Sequence, residues 1–149
     1  VGVVEIVRET PVPAARLWAV VTDWPRQGEH VPLTRLVVTG GEGVGQVVDA
    51  VTGVGRVVIH DPMRVVVWSP PTTTDAGVVR FEKFGRVFGG SAQIEVAPVA
   101  GGSRLTWQEE VWPRPERLGR LLAPVTDRAA KLLFGRTVDH LVARAVAGA

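Results

Sequence analysis

Three features of the sequence predict an α+β fold in which a curved antiparallel sheet of about seven strands wraps a long C-terminal helix, with two short helices after the first strand. A brief helical pattern follows the first strand-like segment. Valine-rich segments separated by tight turns come next. The last two dozen residues then carry an apolar stripe that has only the sheet to pack against. Each element in that order has its own local cause.

Val3 to Thr10 is rich in β-branched residues and puts Val4 and Ile6 on one face with Glu5 and Glu9 on the other, the alternation of a half-buried strand. Pro11 and Pro13 end it. Pro13 suits a first helical turn, where its missing N–H costs nothing, and Ala14, Leu17, Trp18 and Val21 follow at helical spacing. Asp23 is positioned to cap a second helical excursion, Trp24 to Pro32, through its carboxylate. Strand patterns then occupy Leu33 to Thr39, Gln46 to Thr52 and Arg56 to His60, with Asp61-Pro62 expected to separate the last from Met63 to Ser69.

Val78 to Phe84, Val87 to Val96 and Ser103 to Trp112 complete the sheet. In the second of these, Phe88, Gly90, Ala92, Ile94 and Val96 share the inward face. In the third, Leu105, Trp107, Glu109 and Val111 do. Short turns between the strands favour an antiparallel meander, because parallel pairing needs long crossovers. Pro113 and Pro115 close the sheet, and Pro124 is expected to kink or divide the tail. From Val125 to Ala147 a helix would be about 34 Å long. Leu133, Phe134, Thr137, Val138, Leu141 and Ala145 form its apolar stripe, and Arg128, Lys131, Arg136, Asp139 and Arg144 fall largely outside it.

At 149 residues the chain is sized for one domain with a substantial core. The net charge of +2, from 17 basic and 15 acidic residues, gives no concentrated positive field, so no nucleic-acid partner is expected. The absence of Cys removes disulfides and thiolate chemistry, and the absence of Tyr removes a phenolic proton donor. No uninterrupted apolar run approaches the ~20 residues of a membrane span. The expectation is therefore a cytoplasmic protein without stable membrane insertion, monomeric or homodimeric.

Three His without Cys make a zinc site improbable, and no metal or cofactor is expected. His60 and Asp61, as neighbours on an extended segment, face opposite ways and form no dyad. No Gly-x-Ser-x-Gly elbow accompanies Ser69, Ser91 or Ser103, which disfavours a hydrolase. The Gly41-x-Gly43-x-Gly45 run precedes a strand pattern where a dinucleotide fingerprint needs a helix, so its glycines belong to a hairpin.

Several local signatures resemble the START/Bet v 1-like (SRPBCC) superfamily, in its bacterial polyketide cyclase/dehydrase and lipid-transport branch. They are Pro13-Ala14-Ala15-Arg16-Leu17-Trp18 leading to Asp23-Trp24, the turn from Gly41 to Gly45, Thr52-Gly53-Val54-Gly55, Asp61-Pro62-Met63, Trp68-Ser69-Pro70-Pro71 and Gly102-Ser103-Arg104-Leu105-Thr106-Trp107-Gln108-Glu109. The resemblance covers essentially the whole chain and implies a single helix-grip domain over residues 1–149. It further implies an apolar cavity between sheet and terminal helix that takes a lipid, polyketide or quinone-like molecule. Fold alone does not select among those activities.

The expected ligand-binding residues are Trp24, His30, Trp68, Arg80, Trp107 and Glu109, with the catalytic residues left unassigned. Glu109 is the most pointed of them, since an inward carboxylate between Trp107 and Val111 needs a partner or a proton. It serves as a cavity acid or ligand anchor, or it lies near the open end of its strand and reaches water, or it pairs with an Arg as a structural bridge. Arg80 is the candidate counter-ion, although Val79 and Phe81 mark the opposite face of its strand as the buried one. The tryptophans are either pocket walls or plain core. Three functional readings follow: binding or transport of a hydrophobic small molecule, a cyclase or dehydratase using Glu109, and an interaction module with an exposed apolar patch.

Overall fold

The computed structural model describes residues 3–114 and 116–148, with their side chains except those of residues 30, 116–127 and 130. Strand β1 (Val3–Thr10) leads to helices α1 (Ala14–Val21) and α2 (Trp24–Gln27), and a 3-10 turn at Gly28–His30 follows. Strands β2 (Thr34–Thr39), β3 (Val47–Val54), β4 (Val57–Ser69), β5 (Gly77–Lys83), β6 (Phe88–Val99) and β7 (Gly102–Pro113) then run as a meander into helix α3 (Glu116–Ala147). The curved sheet has the order β1-β7-β6-β5-β4-β3-β2, and every pairing is antiparallel. This is the helix-grip architecture.

Strand parity decides what enters the core. Ala92, Ile94 and Val96 of β6, and Leu105, Trp107 and Glu109 of β7, are buried as alternation predicts. Val138, Leu141 and Ala145 of α3 meet them together with Leu17, Trp18 and Val21 of α1. Polar ties fix the helix at the rim: Arg8 of β1 reaches Asp139 at 2.7 Å, and Arg16 of α1 donates to the Ala145 carbonyl at 3.0 Å. Gly90 sits at φ 131°, and a Cβ there would run into the Glu110 carbonyl oxygen, so β6 and β7 approach closely only because that residue is glycine. Among the described residues, no helix is long and apolar enough to cross a membrane.

Three local expectations are corrected. Asp61-Pro62 does not divide a strand, because both lie inside the thirteen-residue β4. The Pro62 carbonyl accepts from Phe84 N–H on the side where β5 pairing ends, so the missing proline N–H breaks no bond of the β3 ladder. Helix α3 starts at Glu116 and is not divided at Pro124, since one proline removes a single ladder bond and the flanking turns carry the helix on. Asp23 occupies the position before α2 but makes no side-chain capping bond; its carboxylate lies 3.9 Å from both Arg26 and Arg144.

Candidate functional site

A cavity of about 280 Å³ lies between the sheet and α3. Its walls are mostly apolar: Leu36 and Val48 from β2 and β3, Met63, Phe81 and Ile94 from the central strands, and Leu133 and Phe134 from α3. Trp24 and Trp107 line it too. Trp107 stacks against Phe134 with ring centroids 6.2 Å apart, and Trp24 meets Phe81 edge-on at 5.1 Å. Each indole N–H is engaged, Trp24 donating to Gln46 Oε1 at 3.1 Å and Trp107 to Glu109 Oε2 at 2.9 Å.

One polar cluster interrupts this wall. Parity brings Lys83 inward with Val79 and Phe81 on β5, and Asp61 inward with Met63 and Val65 on β4. Glu109 stands on β7, two strands from Lys83. The intervening β6 residues are Gly90, which pairs with Lys83, and Ala92, which pairs with Glu109, and their small size leaves room for the lysine to reach across. Lys83 Nζ lies 2.6 Å from Asp61 Oδ2 and 3.2 Å from Glu109 Oε1, and donates to Met63 Sδ at 3.4 Å. One ammonium thus serves two carboxylates.

Their burial sets their proton affinity. The Lys83 and Glu109 side chains are only 2% and 6% exposed, against 18% for Asp61. Burial pushes the Glu109 carboxyl above its ordinary value, and neither the nearby Lys83 charge nor the Trp107 hydrogen bond overcomes it. Burial by itself would lower Lys83, but Glu109 and Asp61 outweigh it through charge and hydrogen bonding and hold the ammonium above its usual range. The cluster therefore keeps its cation, and burial makes the Glu109 carboxyl hold its proton more readily than an exposed carboxyl does.

Of the expected residues, Glu109, Trp24 and Trp107 line the cavity. Arg80 does not join them. It is exposed on the opposite face of β5 and reaches Gln93 at 3.4 Å, because it is out of phase with Val79 and Phe81. Trp68 packs edge-on against Trp18 at 5.2 Å and is absent from the cavity lining. His30 ends the 3-10 turn, and its side chain lies outside the described residues.

Lys83 and Asp61 are the site residues that the sequence reading missed. The signal for Lys83 was the Val79–Phe81 parity carried two residues further. For Asp61 it was the opposition to His60, which points outward and pairs with Asp49 at 2.7 Å. Among the described residues, no three His, Cys, Asp or Glu side chains gather to hold a metal ion.

Comparison with known proteins agrees with this architecture. The profile of a family described as polyketide cyclase/dehydrase and lipid transport matches residues 2–146. No curated protein matches the sequence. Among solved structures, TTHA0849 from Thermus thermophilus superposes with a TM-score of 0.79 at 16% identity, covering 99% of both chains. The Zhui aromatase/cyclase from Streptomyces sp. R1128 gives 0.67 at 16% identity, over 97% of this chain and 93% of that one. Norcoclaurine synthase from Thalictrum flavum, in complex with dopamine and hydroxybenzaldehyde, gives 0.56 at 19% identity, over 94% and 86%. At such identities the likeness is one of fold. With the profile spanning nearly its whole length, the chain belongs to the polyketide cyclase/dehydrase and lipid transport family.

Proposed function

We propose that the protein binds a hydrophobic small molecule in the cavity between its sheet and α3, and sequesters or carries it. The observation that supports this most is an interior space of about 280 Å³ with mostly aromatic and aliphatic walls and the charged cluster of Lys83, Asp61 and Glu109 on one side. That volume sits near the lower edge of the ~300–1,000 Å³ of small-molecule sites. It suits one or two fused rings better than a long polyketide chain. Trp24, Trp107 and Phe134 supply flat walls, and the Lys83 cluster orients one end of the ligand. Saturation binding with labelled fatty acids, polyketide-like aromatics and quinones tests the proposal. Uptake of at least one class at a stoichiometry of about one per chain supports it, and no uptake of any sinks it.

A second reading, a cyclase or dehydratase, draws on the Glu109 carboxyl, which is buried, raised in proton affinity and set at the cavity wall. In that role Glu109 gives its proton to a ligand oxygen as the C–O bond breaks and water leaves, while Asp61 removes the carbon-bound proton. Glu109→Gln then abolishes turnover and leaves ligand affinity within about threefold. Turnover that survives this replacement rules the enzymatic reading out.

A further inference from the structure

Two turns at one end of the sheet share a pattern. β3 passes to β4 through Val54-Gly55-Arg56-Val57, and β5 passes to β6 through Phe84-Gly85-Arg86-Val87, so both read apolar, glycine, arginine, valine. Antiparallel connection puts both turns at the same end of the meander. Val54, Arg56, Val57, Phe84, Arg86 and Val87 are all exposed, Val57 to 82%. Residues 57–61 of β4 run past the last pairing with β5, so the first hairpin projects beyond its neighbour and carries exposed Ile59 with it. Single exposed apolar residues are ordinary on a protein surface, whereas projecting groups of them repeated at one end form a patch.

Charge follows the same division. Arg56 and Arg86 stand in turns that contain no acid, and Glu29, Glu82 and Glu110 of the adjoining segments lie outside them. The turns at the opposite end, residues 40–46, 70–76 and 100–101, hold Glu42 and Asp75 and no Lys or Arg. The cavity reaches the basic, apolar end, where Val31, Thr34, Thr52 and Phe88 are part of its wall. Strand parity puts Val54 on the face of Thr52, and Val57 and Ile59 on the face of Asp61, so these exposed side chains continue the cavity wall outward.

Resting on the reading that the cavity carries a hydrophobic molecule, we propose that this end of the sheet docks on a lipid bilayer with anionic head groups, without spanning it, and that cargo passes between bilayer and cavity there. Val54, Val57, Ile59, Phe84 and Val87 enter the interface, and Arg56 and Arg86 meet lipid phosphates. Two projecting tips suit a fluid interface that closes around each of them. A protein partner would need a matching pit for each.

Co-sedimentation of the intact protein with vesicles of phosphatidylcholine alone, and with vesicles of equimolar phosphatidylcholine and phosphatidylglycerol, tests the proposal. Binding to the mixed vesicles is expected to be at least about tenfold tighter, the effect of two arginines at an anionic surface, and to weaken with salt. Val57→Asp is expected to lower it by about tenfold or more, and Arg56→Glu to remove the preference for anionic vesicles. Val44→Asp, at a residue 69% exposed in a turn of the opposite end, is expected to leave it unchanged. No binding to the mixed vesicles overturns the proposal, as does equal weakening by Val57→Asp and Val44→Asp. Sedimentation velocity without lipid reads the other occupant: a dimer that Val57→Asp dissolves assigns this end to a second copy and also overturns it. Vesicle binding is measured without cargo, so its failure leaves the cavity reading standing, and failed ligand uptake in solution leaves docking standing. Should Val57→Asp not fold, Arg56→Glu and the two vesicle types still decide.

Discussion

Lys83 is the residue on which the polar cluster turns, because its single charge is shared by two carboxylates in a place with almost no access to water. Removing one partner of a buried ion pair strands the other, which is far more costly than never having buried the pair. Lys83→Met is therefore expected to lower stability by about 3–5 kcal/mol. Urea unfolding at fixed pH measures the loss. A change below about 1 kcal/mol, the scale of an exposed pair, would mean that solvent screens the cluster.

The same cluster sets a pH signature. Glu109 is raised above its ordinary 4.5, so between that value and its folded value the native state binds more protons than the unfolded one, and stability falls as pH rises. Its contribution is complete below 4.5 and lost as pH climbs through the folded value. Lys83 is raised above 10.5 and follows the same sign: its contribution is complete below that value and disappears at more alkaline pH. Unfolding midpoints across pH should show both declines, and Glu109→Gln should erase the acidic one alone. An acidic decline unchanged in that variant would assign it to another group.

At the scale of elements, α3 shows how periodicity becomes energy. Leu141 is wholly buried against the sheet while Leu132, on another face, is 59% exposed. Leu141→Ala should cost about 2–5 kcal/mol by leaving a hole in the core, and Leu132→Ala should stay within about 0.5 kcal/mol. Comparable effects at the two positions would overturn the face assignment of the helix. The stripe was legible in the sequence because 3.6-residue spacing does not depend on what the helix meets. The start of α3 was not legible, since whether a chain stays helical through Pro124 depends on its flanking turns. The continuity of β4 through Pro62 has a similar cause: the missing N–H matters only if a neighbouring strand lies on that side, and a linear sequence does not say which side is paired.

For the molecule as a whole, β1 pairs with β7 at one end of the meander, leaving β1 and β2 as the outer strands of a sheet whose concave face is only partly filled by α3. A residue that projects extra bulk into the hollow should compete with a ligand without disturbing the rest of the core. Leu36→Trp, on the β2 wall, is expected to weaken binding of a one- or two-ring compound by at least about tenfold. Its circular dichroism should remain that of the parent. Undiminished affinity in the variant would move the binding site elsewhere.

Composition and periodicity by themselves determined the strand faces, the apolar stripe of α3 and the inward placement of Glu109, because side-chain direction follows from backbone geometry within a single element. Tertiary structure alone decided that Lys83, and not Arg80, meets Glu109, and that Asp61 shares the same ammonium. Those contacts depend on strand order, on register and on the small residues Gly90 and Ala92 between β5 and β7, and these relations exist only once the sheet has assembled. The cavity belongs with them, for empty space is set by how curved layers fail to meet.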